Sequence, residues 1–267
     1  MAYVYKKTVG GKEYYYLRAS KRKGTKVVAK DITYLGRTLE EARRKLASLP
    51  EKDIRAAYKT ITRFLESNTF VQQVKKLKLK QSIFLQKEHL ERVEACRLHW
   101  QKIVQKRDPR TREEQMKHFA VDFTFNTTSI EGNTITLKEA ALLLTEQVTP
   151  KNRTLREVYD IQNTERVFLA ILQKPFELTH ESIITLHKEL LSNIDSRIGY
   201  RTSDVHVIHA RFNATPAPYV KTDMDLLLKW HHKKKSTLHP FALACLFHHK
   251  FEKIHPFLDG NGRTGRM

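Results

Sequence analysis

The chain has 267 residues, enough for one large domain or two smaller ones with a real core, and its 40% hydrophobic and 29% charged residues are ordinary for a globular protein. The N-terminus lacks an apolar signal core, no run approaches the roughly 18 apolar residues of a membrane span, and Cys96 and Cys245 lie too far apart for a disulfide framework or zinc spacing, so a cytoplasmic protein without a membrane partner is expected. The formal charge of +20 draws a chain to polyanions such as nucleic acid, ATP or an acidic surface, or simply gives a basic solvated exterior, and does not bear on fold.

Residues 3–35 read as short strands. Tyr3-Val4-Tyr5, Tyr14 to Arg18 and Lys26 to Ile32 are β-prone, punctuated by Gly10-Gly11 and Arg22-Lys23-Gly24. A Gly-Gly between aromatic-rich runs is a hairpin signal. Residues 1–60 hold 16 Lys/Arg against 6 Asp/Glu, a balance of +10 and half of the chain's excess. A basic sheet with exposed tyrosines suits a phosphate backbone and stacked bases, which makes nucleic acid a candidate partner of residues 1–110. Equally, the tyrosines would serve as the hairpin's own small core. Thr38 followed by Glu41 is a capping-box pattern, with Leu39, Ala42 and Leu46 continuing at helical spacing until Pro50. From Asp53 to Lys106 the helical pattern resumes, first through Ile61, Leu65 and Phe70, then through a long basic helix or helix pair. The organisation expected is a basic sheet plus helix over 1–50, a basic helical linker over 51–110, and a core over 111–267.

Asp108-Pro109-Arg110 reads as a turn and boundary. Met116 to Ser129 then forms a helix closed by Ile130-Glu131-Gly132-Asn133, where Gly132 and Asn133 suit left-handed C-cap angles. Glu131 lies at the end of the helix dipole that disfavours a carboxylate, so it is either a surface acid or an acid awaiting a cationic partner. Thr136 with Glu139 is a second capping box and opens a helix over 137–147; others run from Asn152 or Thr154 to Gln173 and onward from Thr179. Residues 199–211 break this pattern with a β-prone run in which Val205, His206 and Val207 alternate, and an isolated hairpin is rarely present for stability. Asp223 to Trp230 form a helix ending in His231-His232 and three lysines, without a third metal ligand at a diagnostic offset. His239-Pro240 opens the last full helix, with Ala244, Phe247, Phe251 and Ile254 as its apolar stripe and His248, nearly in line with His255, as a packed support residue in preference to a second base.

The chemistry concentrates in the last thirteen residues, His255-Pro256-Phe257-Leu258-Asp259-Gly260-Asn261-Gly262-Arg263-Thr264-Gly265-Arg266-Met267. Gly260 and Gly262 allow positive backbone angles that turn successive N–H groups toward one anion. A helix starting near Gly262 adds its free N–H groups and dipole to that site, and Arg263 and Arg266, three apart, share a face. His255 suits proton transfer at neutral pH, and Asp259 offers a hard oxygen to Mg2+ on a polyphosphate. The plainer alternative is a Gly-Asn-Gly turn after a core helix with surface arginines beyond it.

At these residues the sequence resembles the Fic family, whose signature His-Pro-Phe-x-Asp/Glu-Gly-Asn-Gly-Arg-x-x-Arg is matched at every fixed position. The resemblance implies a mainly α fold: a Fic-type helical core with a β-hairpin flap, here preceded by a small β-rich segment and long basic helices. It implies a nucleotidyltransferase that moves AMP from ATP, with Mg2+, onto a hydroxyl of a target protein, with His255 as base, Asn261 and Arg263 on the phosphates, Gly260, Gly262 and Arg266 completing the nucleotide site, and Asp259 on the metal. Thr127-x-x-x-Glu131-Gly132 matches the family's inhibitory-helix motif and implies that Glu131 pairs with Arg266. Gly199-Tyr200-Arg201 leading to Val205-His206-Val207 resembles the flap that docks a target strand. Pro216-Ala217-Pro218 departs from the Pro-Pro that commonly follows the flap. A second copy of the chain is allowed for as a partner. The chain stops about one turn beyond the nest, so a truncated core with a frayed nest and weak ATP affinity is expected.

Overall fold

A computed structural model describes residues 2–50, 54–55, 57–79, 82–174, 176–206 and 212–267, with only the backbone of Lys21 and Lys23. The described residues divide into two compact units, 1–106 and 107–267. Among them, no helix is long and apolar enough to cross a membrane.

The first unit opens with an antiparallel sheet of β1 (Ala2–Val9), β2 (Lys12–Lys23) and β3 (Lys26–Gly36), in that order. Gly10, Gly11 and Gly24 take φ of 54°, 75° and 60°, the left-handed angles their tight turns require. The strands outrun the sequence expectation because pairing continues through the charged residues between Ala19 and Lys30. Val4, Tyr15 and Leu17 project from one sheet face into a core shared with Leu39, Ala42 and Leu46 of α1 (Leu39–Ala47) and with Ile61 and Leu65 of α2 (Tyr58–Lys75). Thr38 caps α1 by accepting from Glu41 N at 3.1 Å. Phe70 and Val74 then pack with Ala95 of α3 (Lys87–Lys102).

The second unit is helical: α4 (Pro109–Ile130), α5 (Leu137–Glu146), α6 (Leu155–Gln173), α7 (His180–Leu190), α8 (Val220–Lys234), α9 (Pro240–Ile254) and α10 (Asn261–Arg266). The Asp108-Pro109 pair starts α4 instead of marking a turn before it. Asp108 accepts from Thr111 N at 2.9 Å, and Pro109 occupies the first helical position, where no N–H is needed. Capping boxes open α5 at Thr136, α6 at Thr154 and α7 at Thr179. Ile183 of α7, Met224 and Leu227 of α8, and Phe251 and Ile254 of α9 enclose Phe257 of the terminal motif. The short α10 packs against α4, α7 and α9. It is helical through Arg266 where a frayed end was expected, with Asn261, Gly262, Arg263 and Thr264 buried and Met267 packed on Val167, Leu186 and Leu190. Of the expected hairpin, residues 201–206 are irregular; Val207 and the four residues after it lie outside the described residues.

Candidate active site

The motif loop leaves α9 through His255, whose φ of 52° turns the chain out of the helix while its N–H still reaches Phe251 O at 2.9 Å. Arg201 fastens this turn. Its backbone N donates to Pro256 O at 2.9 Å, Nε to His255 O at 2.8 Å and Nη1 to Ser203 O at 2.9 Å, while Nη2 bonds the carbonyl of Thr215. A cation at the C-terminus of α9 also meets the negative end of its dipole. Phe257 stacks on the His187 ring with centroids 3.7 Å apart, and His187 Nε2 lies 3.0 Å from Asp259 O. Burial pushes His187 below the ordinary histidine range, so the neutral ring donates from Nε2. Asn261 closes the loop from inside: Oδ1 accepts from Phe257 N and Nδ2 donates to Phe257 O, each at 2.8 Å.

The two motif glycines do different work. Gly260 takes the expected left-handed conformation, φ 75°, and caps α10. Gly262, expected to take a positive angle too, is instead an ordinary residue of α10 without a positive φ. Its requirement is spatial, because a Cβ there would overlap the Glu131 carboxylate and lie 2.8 Å from Arg266 Nη1. The concavity is therefore one left-handed residue followed by a helix N-terminus.

Arg263 is almost wholly buried, at 2% exposure. Its Nη1 pairs with Asp160 of α6, its Nη2 lies 3.1 Å from Asp259 Oδ1, and its buried Nε has no hydrogen-bond partner among the described residues. Asp259 also pairs with Arg156 and accepts from Gly260 N at 2.6 Å. No group of three His, Cys, Asp or Glu side chains among the described residues could hold a metal ion. Asp259 brings a single carboxylate already engaged by two guanidinium groups, so it fits a divalent cation only when that ion arrives with oxygens of its own, as on a polyphosphate.

Arg266 lies across the gap to α4. Its Nε donates to Thr127 Oγ1 at 2.7 Å, Nη2 to Thr127 O at 3.1 Å, and the same nitrogen pairs with Glu131 Oε1. Glu131 caps α4, and Gly132, φ 93°, turns the chain away. The next residues are fixed to the start of α6: Asn133 Nδ2 donates to Glu157 O at 2.9 Å and Thr134 N to Glu157 Oε1 at 2.9 Å. The unfavourably placed carboxylate thus has its cation, and it covers Gly262 at the mouth of the anion site.

His255 is half-buried, which pushes its pKa below the ordinary histidine value and keeps the ring neutral at pH 7. Nδ1 faces Glu252 O at 3.4 Å, an arrangement that puts the ring proton there and leaves Nε2 as the basic lone pair. His248 Nδ1 lies 2.9 Å from Gly265 O and so supports α10 from below. Val205 and His206 lie in the irregular segment after Arg201.

Sequence reasoning brought His255, Asp259 to Arg263, Arg266, Thr127 and Glu131 together, missed Asp160, Arg156 and His187, and named Arg201 only within the flap motif, without its hold on the motif loop. A signal existed for two of them: Asp160 and His187 are polar residues among the buried apolar positions of α6 and α7. Arg156 carried none, and nothing local marked the clamping role of Arg201, since their partners lie 103 and up to 55 positions away.

Residues 177–267 match the family model described as Fic/DOC family. Over 153 residues the chain is 31% identical to a protein named protein adenylyltransferase Fic from Drosophila ananassae, a match covering 54% of this chain and 30% of the relative. It is 28% identical over 151 residues to protein adenylyltransferase fic-1 from Caenorhabditis elegans, with the same shares. The match thus spans about three-tenths of the length of these relatives. Among solved structures, a Fic domain containing signaling protein from Bacteroides thetaiotaomicron is similar at a TM-score of 0.59 and 27% identity, over 65% of this chain and 69% of that one. A C. elegans Fic-1 structure, at 19% identity and a TM-score of 0.53 over 85% of this chain and 65% of that one, shares the fold. The family match over residues 177–267, the relatives and the mainly α architecture agree with the motif geometry, and this part of the chain is similar to Fic/DOC domains.

Proposed function

We propose that this chain is a protein adenylyltransferase held in check by Glu131, one that moves AMP from ATP to a Ser, Thr or Tyr hydroxyl of a target protein. The observation that carries this reading is the Glu131 carboxylate over Gly262, paired with Arg266. An internal anion there occupies the space and the counter-charge that a terminal phosphate would use. ATP takes the turn from Gly260 to Arg263, and Asp259 would hold a Mg2+ arriving with the phosphates, whose charge would offset theirs. Asn261 lies beside the α-phosphate, Arg263 holds the adjoining phosphates, and Arg266 takes the γ-phosphate once Glu131 lets go. The acceptor oxygen bonds to the α-phosphorus as its proton passes to Nε2 of His255; the bond from that phosphorus to the bridging oxygen breaks, and pyrophosphate leaves. Positioning and charge stabilisation carry most of the acceleration in such transfers. The segment through Val205 and His206 pairs its main chain with the target. With Glu131 aligning a water, the same site removes AMP from a modified protein. Both cysteines are free thiols, which suits a cytoplasmic setting.

The test is transfer of α-labelled AMP from ATP to protein by the unchanged chain, His255→Ala and Glu131→Gly. His255→Ala should lose at least about a hundredfold in rate; Glu131→Gly should gain. Because burial lowers the His255 pKa, the acid limb of kcat should fall below the ordinary histidine value of about 6.5. Equal labelling by the unchanged chain and His255→Ala removes His255 as the base, and no gain in Glu131→Gly removes the inhibitory role.

A further inference from the structure

The pleat sorts the tyrosines of the N-terminal sheet by face. Tyr15 points into the core with Val4 and Leu17 and is fully buried. On the other face, register places Tyr5 opposite Tyr16 and Tyr16 opposite Tyr34, a row of three tyrosines across three strands, flanked by Tyr3 opposite Arg18 and by Lys7 opposite Tyr14. Residues paired this way share a face, with neighbouring strands about 4.8 Å apart. The ring contacts agree: Tyr16 and Tyr34 centroids are 5.3 Å apart, the Arg18 guanidinium lies 3.8 Å from the Tyr5 centroid, and that of Arg37 lies 5.5 Å from Tyr14. These five tyrosines are half-buried or exposed, and none belongs to a core cluster of the described residues.

We propose that this face binds single-stranded nucleic acid, with bases stacking on the row Tyr5, Tyr16 and Tyr34 and the backbone running along the cations beside it. Charge complementarity selects a polyanion: Lys7, Arg18, Arg22 and Arg37 accompany the face, Asp31 pairs with Arg18 at 2.6 Å and partly offsets Lys7, and residues 1–60 carry a balance of +10. The rings then select among polyanions. An acidic peptide or a vesicle surface uses the charge and offers nothing flat to stack, and a duplex keeps its base faces occupied. An unpaired strand presents both a π-face and a phosphate at every step. This site shares no residue with the transfer chemistry.

The full chain is titrated against fluorescent single-stranded DNA and RNA oligonucleotides of mixed sequence, with the same sequence as duplex, polyglutamate and anionic phosphatidylserine vesicles as comparisons. Single strands should bind tighter than duplex, polyglutamate or vesicles, and affinity should fall as salt rises; the DNA and RNA arms tell which sugar is preferred. Tyr5→Ala, Tyr16→Ala and Tyr34→Ala should each weaken binding roughly tenfold, while the matching Phe variants should bind like the unchanged chain, since stacking needs the ring and not the hydroxyl. Should the Ala variants fail to fold, the preference of the unchanged chain for single strands decides alone. Equal or tighter binding of duplex, polyglutamate or vesicles overturns the proposal, as do folded Ala variants that bind like the unchanged chain.

Discussion

Arg263 must be kept charged, buried and aimed, and Asp160 does most of this. Taking a guanidinium out of water costs several kcal/mol unless a counter-charge goes with it. Asp160, itself 8% exposed, supplies that charge, whereas Asp259 is shared with Arg156. Asp160→Asn preserves the shape of the side chain and removes its charge. It should therefore cost about 3 kcal/mol of stability in denaturant unfolding and should weaken ATP binding through the misplaced guanidinium. The contrast is Arg156→Gln, whose side chain is 57% exposed in its pair with Asp259. Solvent screens that pair, so its loss should cost less than about 1 kcal/mol. Equal costs for the two variants would show that burial is not what makes Asp160 matter.

Between elements, the decisive contact joins the C-terminus of α4 to the last turn of α10. Arg266 and Glu131 are 22% and 30% exposed at their side chains, and Thr127 adds two hydrogen bonds from Arg266. A double-mutant cycle on Glu131→Gln and Arg266→Gln, read by denaturant unfolding, should give a coupling of about 1 kcal/mol; a coupling near zero would mean the two side chains do not restrain each other. That size is enough to bias a site and small enough for ATP to displace. This contact was legible in the sequence only through the pairing of two motifs, whereas the caps at Thr38, Thr136 and Thr179 were legible from three or four adjacent residues. The difference is range. A capping box closes on itself within one turn, and an apolar stripe repeats, so both announce themselves locally. The clamp of Arg201 on the carbonyls of His255 and Pro256 has no such signature. Gly262 shows a subtler limit: glycine marks freedom of angle or closeness of approach, and the letter alone does not say which.

At the scale of the molecule, the apolar interior is divided as the chain is. The cluster of Val4, Tyr15, Leu17, Leu39 and Ile61 lies within residues 1–106, and those built on Ile161, Leu190 and Phe257 lie within residues 107–267. Each unit thus owns a core, which is the condition for it to unfold as its own cooperative block. Denaturant unfolding followed by amide hydrogen exchange should resolve two transitions. Leu17 and Leu190 are both fully buried, so each change to Ala should cost about 2–5 kcal/mol. Leu17→Ala should move only the transition reported by amides of β1 to α3, and Leu190→Ala only that reported by α4 to α10. One coincident transition that both substitutions shift equally would contradict this division. The outcome also bears on the two proposed activities: if the blocks unfold separately, conditions that melt one will silence single-strand binding or AMP transfer while leaving the other intact.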